Sequence, residues 1–310
     1  MKILVTGGAG FIGSNLVDAL IEKGHEVSVV DNLATGRREN VNEKAKFFEV
    51  DITDKDALSK VFSEINPETI FHLAAQISVE VSQKDPASDV RTNVIGTINL
   101  LEQAREHKVK KFVFSSTGGA IYGEDAPRPT SEEATPDPAT PYGIDKLCAE
   151  KFIKFFSKLD GFSYTILRFS NVYGPRQNPD GEAGVVAIFS SKMLKNEPSK
   201  IYGDGTQTRD YVYVGDIVDA LMLGINSEKS GIYNIATGIE TPVNDLTEKL
   251  IKLTQTKTPP EHAPARFEQH ASSLSFDKAK TELGWEPKVT LKDGLQKTIE
   301  WFIDNSKGKN

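Results

Sequence analysis

Met1-Lys2-Ile3-Leu4-Val5-Thr6-Gly7-Gly8-Ala9-Gly10-Phe11-Ile12-Gly13 opens the chain, and Leu16, Val17, Leu20 and Ile21 follow it at helical spacing. An apolar run breaks into spaced glycines and passes straight into a helix: strand, glycine turn, helix N-terminus. That arrangement holds the pyrophosphate of a dinucleotide, because the turn runs where a Cβ would collide with phosphate and the N–H groups at the helix start favour an anion. Gly7, Gly10, Phe11, Ile12 and Gly13 are therefore candidate cofactor contacts. Spaced glycines alone occur in many turns; here the context makes them specific. Val27 to Val30 form a second strand that ends in Asp31, at the separation expected of an acid that binds the adenosine ribose hydroxyls. Asp31 would repel a 2′-phosphate, which favours NAD over NADP. Arg37 and Arg38 are able to pair with such a phosphate, but beside that acid they read as solvated partners of Asp31 and Glu39.

With 310 residues the chain is large for one core and small for two independent domains, which points to one unit with a smaller lobe. A formal charge of −7 with no basic face argues against nucleic acid as a partner. Lys108, Lys110 and Lys111 form the one tight basic cluster and read as cations at a helix C-terminus. No apolar stretch approaches the roughly 18 residues of a membrane span, so no membrane partner and a cytoplasmic location are expected. Cys148 is the only cysteine; it excludes an intrachain disulfide and reads as a small apolar residue rather than a reactive thiol. The histidines show no metal-ligand spacing, no metal is expected, and His72 reads as a structural histidine satisfied by its neighbours.

Strand-like runs at Lys46 to Val50, Thr69 to Leu73, Lys111 to Ser115 and Ser163 to Phe169 alternate with amphipathic stretches such as Asp56 to Ile65 and Asn93 to His107. This predicts an α/β protein: a Rossmann-type doubly wound parallel sheet with both faces covered, binding ligands at the carboxyl ends of its strands. After about Asn171 the loops lengthen, and short helices such as Ala187 to Leu194 and Val243 to Leu253 lie between them. Residues 1–170 are thus expected to be the NAD-binding domain. Residues 171–310 are expected to form mainly a smaller C-terminal substrate-binding lobe, with some segments returning to the main sheet.

The catalytic candidates follow the strand that ends in Ser115-Ser116-Thr117-Gly118-Gly119. A proline-rich loop leads from it to Pro141-Tyr142-Gly143-Ile144-Asp145-Lys146. On a helix Tyr142 and Lys146 are one turn apart and share a face. Because a free tyrosine titrates near ~10, a tyrosine base working near neutrality needs ~4 kcal/mol of differential stabilisation. The Lys146 ammonium and the positive nicotinamide of an oxidised cofactor are the cations expected to supply it. Thr117 is the chosen hydroxyl partner, able to bond both a substrate hydroxyl and the tyrosine oxygen.

With these residues in view, the chain resembles an extended short-chain dehydrogenase/reductase, and within that superfamily the UDP-glucose (UDP-galactose) 4-epimerases. The matching segments span nearly the whole chain: Thr6 to Gly13, Asp31-Asn32, Asp51-Ile52, His72 to Ala75, Asn93, Ser115 to Gly123, Tyr142 to Lys146, Leu167 to Arg176, Gly203 to Asp216 and Leu283 to Trp285. The resemblance implies that Asp51 and Ile52 meet the adenine, that Ala74 lies along the cofactor, and that Asn32, Leu73, Ala75, Asn93 and Ser115 belong to the same site. Lys146 would also hold the nicotinamide ribose. It implies further that Asn171 contacts the nucleotide sugar, Tyr202 lies near the uracil, Arg209 neutralises the diphosphate beside Tyr211, and Val185 completes the substrate set. A homodimer through the helices near Asn93 to His107 and Tyr142 to Leu159 is also implied.

The related 4,6-dehydratases carry an adjacent Asp-Glu pair after the threonine, where this chain has Gly118 and Gly119. Oxidation and re-reduction at one carbon is the expected chemistry, with a ketoreductase or dehydratase, or a non-catalytic NAD-binding protein, as alternatives. The step from Thr117 to Tyr122 is one residue longer than in many epimerases, which leaves Ser116 open for the hydroxyl role. In the late loop Arg266 and Glu268 stand where the family places an arginine and an acid. Ser272 stands where a small residue implies tolerance of N-acetyl sugars.

Overall fold

The computed structural model describes residues 1–180, 184–265 and 269–307. Strand β1 (Lys2–Thr6) feeds α1 (Phe11–Glu22), and β2 (Glu26–Asp31) and β3 (Lys46–Glu49) lie to one side of it. On the other side lie β4 (Thr69–His72), β5 (Lys111–Thr117) and β6 (Ser163–Phe169). After three short strands, β7 (Asn171–Tyr173), β8 (Lys200–Tyr202) and β9 (Thr208–Tyr213), the chain adds β10 (Gly231–Ile235) to the outer edge of β6. The result is a seven-stranded parallel sheet in the order β3-β2-β1-β4-β5-β6-β10. Its direction of winding switches between β1 and β4, where the crevice at the carboxyl ends of the strands receives ligands.

Both faces of the sheet are covered, so its strands are apolar at consecutive positions rather than alternate ones. Ile3, Val5, Val27 and Val29 pack with Leu16, Val17 and Leu20 of α1 and with Ile217 and Leu221 of α8 (Val214–Asn226). Leu4, Val30, Ile70, Phe112 and Phe114 face the other way. There they meet Leu58 and Phe62 of α2 (Lys55–Ile65), Leu100 and Leu101 of α5 (Gly96–Glu106), and Ile153 of α6 (Pro141–Asp160). Helix ends follow local chemistry: Asp54 accepts from the Ala57 N–H at 2.9 Å, Thr140 caps α6 ahead of Pro141, and Gly161 ends α6 at φ 80°.

Two expectations needed revision. The helical run anticipated from Asn93 starts earlier, with α3 (Val79–Lys84), α4 (Pro86–Val90) and a π-helical turn at Arg91–Ile95 leading into α5. Asp85 followed by Pro86 is a cap and a first-turn proline, a start signal that the weak apolar period upstream obscures. Of the lysine cluster, Lys111 is placed at a helix C-terminus, and not that of α5: it is buried and its Nζ donates to the Ser227 carbonyl at 2.6 Å, just past α8, while Lys110 lies 3.7 Å from Glu68.

The smaller lobe has its own core. Val186, Phe189 and Met193 of α7 (Val185–Leu194) pack with Leu246 and Leu250 of α9 (Val243–Thr254) and with Leu295 and Ile299 of α10 (Leu291–Lys307). In this lobe β9 pairs with β7 and with β11 (Glu240–Pro242), and β8 pairs with β12 (Glu261–Ala263). The chain thus leaves the main sheet after β6, returns through α8 and β10, and leaves again. Trp285 pins the return by donating from Nε1 to the Asp216 carbonyl at 2.8 Å. Among the described residues no helix is long and apolar enough to cross a membrane.

Phe62, 0% exposed, anchors the α2 face of the sheet. Phe62→Ala is expected to cost about 3–5 kcal/mol, read as a lower denaturant midpoint with an unchanged slope.

Candidate active site

The turn after β1 leaves no room for side chains. Gly7 holds φ 72°, and a Cβ there would lie 2.7 Å from the Ala74 nitrogen; a Cβ on Gly13 would lie 2.1 Å from the Gly7 oxygen. Gly10 precedes α1 without a side-chain cap, and no acid stands in the first turn, so the N–H groups around Phe11, Ile12 and Gly13 face outward for an anion. This cradle fits a dinucleotide pyrophosphate.

Asp31 stands beside it, with Oδ2 accepting from the Ala9 N–H at 3.0 Å and Oδ1 from the Leu33 N–H at 2.9 Å. Neither arginine pairs with Asp31 as expected. Arg37 instead donates to Asn178 Oδ1 at 3.1 Å and lies 3.6 Å from Glu39, while Arg38 stacks on Phe47. Asn32 donates to Asp51 Oδ2 at 2.7 Å. Although burial opposes it, hydrogen bonds from Thr53 and Asn32 hold the Asp51 carboxyl below its ordinary value. Ile52 turns its side chain into the core against Gly96.

At the end of β4, Leu73 N–H donates to the Thr6 carbonyl at 3.1 Å and Ala74 N–H to Thr6 Oγ1 at 3.3 Å, with Ala75 half-buried beyond them. Asn93 lies beneath this loop: its amide donates to the Gln76 carbonyl at 2.9 Å and accepts the Gln76 N–H at 2.9 Å. His72 is a structural histidine, bonded to Thr6 at 2.8 Å and Thr97 at 2.9 Å, and burial drives it well below its ordinary value.

Tyr142 and Lys146 share the first turns of α6. Lys146 is buried and donates from Nζ to the Ser115 carbonyl at 2.8 Å. Burial brings it down to about 8, against the opposing carboxylates Glu150 and Asp89. Thr117 hydrogen-bonds the Tyr142 phenol. The phenol itself is pushed above its ordinary value, first by burial and then by the Asp89 charge, with the Thr117 bond working the other way. Proximity to Lys146 therefore does not make a ready base of Tyr142.

Ser116 points to the opposite side of β5, as alternation along a strand requires. Its Oγ donates to Glu150 Oε1 at 2.6 Å, within a buried network in which Arg168 grips Glu150 through Nε at 2.9 Å and Nη2 at 2.7 Å. Arg168 Nη1 also donates to the Tyr122 hydroxyl at 2.7 Å, which donates onward to Asn234 at 2.9 Å. This ring of partners escaped the sequence reading. Its signal was Arg168 itself, a charge inside an otherwise apolar strand, which must be paired when buried. Cys148 is half-buried, and burial followed by the Asp145 charge pushes its thiol up, away from reactivity.

The lobe contributes the other wall. Asn171, exposed at the start of β7, is in register with Tyr211 of β9, whose ring meets Tyr173 edge-on at 6.4 Å. Arg209 precedes it and donates from Nη1 to the Thr208 carbonyl at 2.8 Å. Between them Asp210, missed from sequence, gathers the Thr237 N–H at 2.9 Å, the Gly238 N–H at 2.8 Å and the Leu274 N–H at 3.3 Å, and so fixes the strand. A Cβ on Gly119, two residues past β5, would sit 3.9 Å from Asn171 Oδ1 and 4.0 Å from Ser272 Oγ, so this turn lies beside both. A Cβ on Gly118 would lie 2.2 Å from Leu274 Cδ1. Tyr202 ends β8 and Val185 opens α7, each half-buried and on an element of its own. Arg266 and Glu268 lie outside the described residues.

A sequence model of the NAD dependent epimerase/dehydratase family matches residues 3–236. The UDP-glucose 4-epimerase of Mycolicibacterium smegmatis is 43% identical over 313 residues, covering 99% of this chain and 100% of that one. Among solved structures, the UDP-glucose 4-epimerase of Thermotoga maritima with UDP-glucose is 50% identical at a TM-score of 0.97, covering 99% of this chain and 100% of that one. The Thermus thermophilus UDP-glucose 4-epimerase in complex with NAD is 43% identical at a TM-score of 0.93, covering 98% and 99%.

Arg168 and Glu150 are 3% and 1% exposed, so removing one charge strands the other. Glu150→Gln is expected to cost about 3–5 kcal/mol of stability, measured by chemical denaturation.

Proposed function

We propose the reaction from one premise: the chain belongs to the NAD dependent epimerase/dehydratase family. It is an NAD-dependent UDP-glucose 4-epimerase, inverting C4 of a UDP-hexose through a transient 4-keto sugar. The observation that carries this reading is the Thr117–Tyr142–Lys146 cluster at the end of a strand followed by two glycines. An acidic pair for eliminating water would require displacing Leu274 from Gly118, which argues against a dehydratase.

NAD held at the glycine turn would supply a hydride acceptor, taking the C4 hydrogen with its electron pair and giving it back to the same carbon. Tyr142 takes the C4 hydroxyl proton, with Thr117 bonded to both oxygens along the path. Because burial and Asp89 oppose the phenolate, Tyr142 becomes a base only with compensating positive charge beside it. Lys146, brought down by burial to about 8, provides one such charge; an oxidised nicotinamide bound beside it would supply the other. The same tyrosine is consequently a base toward the alcohol and an acid toward the ketone, in step with the cofactor's charge. Arg209 binds the diphosphate, where its planar guanidinium matches phosphate oxygens, and Asn171, Tyr211, Tyr202 and Val185 complete the nucleotide-sugar wall. The nucleotide is then the fixed handle about which the hexose turns to offer its other face.

The cofactor is assigned to residues 1–170 together with α8 and β10, and the nucleotide sugar to the remainder of 171–310. Small residues at Gly119 and Ser272 flank Asn171, which supports admission of UDP-N-acetylhexosamines. Exposed Ile144, Phe155 and Leu159 on α6, with Val90 and Ile95 on the helical run packed beside it, offer an apolar face for a second copy, in support of a homodimer. A single cysteine agrees with a cytoplasmic location.

Purified protein incubated with UDP-galactose and no added cofactor is expected to give a stable mixture with UDP-glucose on chromatographic separation. Tyr142→Phe should lower kcat by about 10²–10⁴-fold. Absence of conversion, even with NAD added, would move the activity to another nucleotide sugar or another reaction. UDP-N-acetylglucosamine should turn over as well, and an undetectable rate at saturation would remove that extension.

A further inference from the structure

Two carboxyl groups that the reaction does not use lie under the Tyr142–Lys146 turn. Asp89, on α4, is 0% exposed, and Asp145, on α6 between the two catalytic residues, is 4% exposed. Asp89 Oδ1 accepts from Gln76 Nε2 at 2.6 Å and from Asn93 Nδ2 at 3.1 Å. The Oδ2 atoms of Asp89 and Asp145 are buried and meet no donor among the described residues, while the two carboxyls lie within hydrogen-bond reach of each other. Two buried carboxylates facing one another are costly when both are ionised; one proton between them gives each orphaned oxygen a partner.

We propose that Asp89 and Asp145 share a single proton, which joins the cofactor-flanking loop to the catalytic helix and keeps the charge beside Tyr142 at one negative unit instead of two. The loop side of the link is explicit. Asn93 bonds the Gln76 main chain in both directions, and Gln76 follows directly on Leu73, Ala74 and Ala75. On the helix side Asp145 is three residues past Tyr142, within one turn. Asp89 and Asp145 are thus positioning residues: they touch neither substrate nor cofactor and act through Tyr142. Their effect on rate rests on the epimerase reading, whereas the shared proton does not.

Several groups face the pair. From α6 come Tyr142, Lys146 and Cys148, with Glu150 one turn further on. His72 lies behind Lys146 and is held neutral by burial, the π-helical turn presents Asn93, and α3 presents Ser82, whose Oγ accepts the Tyr142 N–H at 3.3 Å. Burial, then the bond and charge of Asp89, bring Asp145 up to about 7. An acid raised on folding contributes stability that is full below its ordinary value of ~4 and is lost progressively as pH rises to about 7. The second negative charge that then appears pushes the phenol still further from phenolate.

Asp145→Asn fixes the pair at one negative charge and leaves an amide able to donate to Asp89. The ratio of variant kcat to wild-type kcat is expected near one at about pH 6 and at least about threefold by about pH 8, since only the wild type acquires the second charge. A ratio that does not change with pH, as a merely structural role would give, overturns the positioning role. Infrared spectra of the substrate-free proteins at about pH 6 should show the carbonyl stretch of a protonated carboxylic acid in the wild type that is missing from the variant. Identical spectra in that region overturn the shared proton. Because the infrared measurement needs no turnover, failure of the epimerase reading and failure of the shared proton are told apart.

Discussion

The close approach of two backbones, Gly7 against Ala74, sets everything at the carboxyl edge of the sheet. The turn after β1 and the loop after β4 meet where the winding reverses, so tightly that a single carbon added to Gly7 would lie 2.7 Å from the Ala74 nitrogen. Thr6 binds the same loop through its carbonyl and its hydroxyl. The glycine turn and the loop after β4 are therefore one rigid object. Asn93 and Asp89 support that object from below, and through Asp89 it reaches the helix that carries Tyr142. A change at any of these contacts is passed on to the helix that carries Tyr142 and Lys146.

Strand alternation divides the labour at the end of β5. Ser116 faces inward to a buried ion pair that is fully hydrogen-bonded, and Thr117 faces the phenol. The Arg168 charge is matched by Glu150 in two bonds and by the Tyr122 hydroxyl in a third, so it holds β5, β6 and α6 together without adding net charge to the cleft. The charge that does reach the cleft is that of Lys146, weakened by burial to about 8 and supported by the Asp89 carboxylate, which at the same time opposes ionisation of Tyr142. The ionisation of Tyr142 is set by burial and this small balance of buried charges rather than by any single neighbour.

Much of this architecture was legible in the chain. The strand Ser163–Phe169 and the helix ending at Ile65 follow from apolar spacing and punctuation alone, and Asp31 from its distance past the glycines. What stayed hidden depends on contacts between residues far apart in sequence. Asp89 and Asp145 are each unremarkable in their own segment, and their meeting is a property of how α4 packs on α6. The sign of the Tyr142 shift was likewise unreadable, because a Tyr-x-x-x-Lys spacing reveals the cation but not the desolvation that outweighs it. Lys111 shows the same limit in miniature: its partner helix end lies over a hundred positions away, at Ser227.

The order in which the chain visits its two halves governs how they can be separated. Since β10 lies on the outer edge of β6 and arrives only after the lobe has begun, cutting the polypeptide after residue 170 would leave β6 as a bare strand edge with Phe169 and Leu167 behind it. Such an edge is a template for self-association, so residues 1–170 are not an excisable module. Exchanging the lobe for that of a relative likewise demands two separate grafts joined on either side of α8 and β10. In this protein the lobe and the cover of the sheet's outer edge are inherited together.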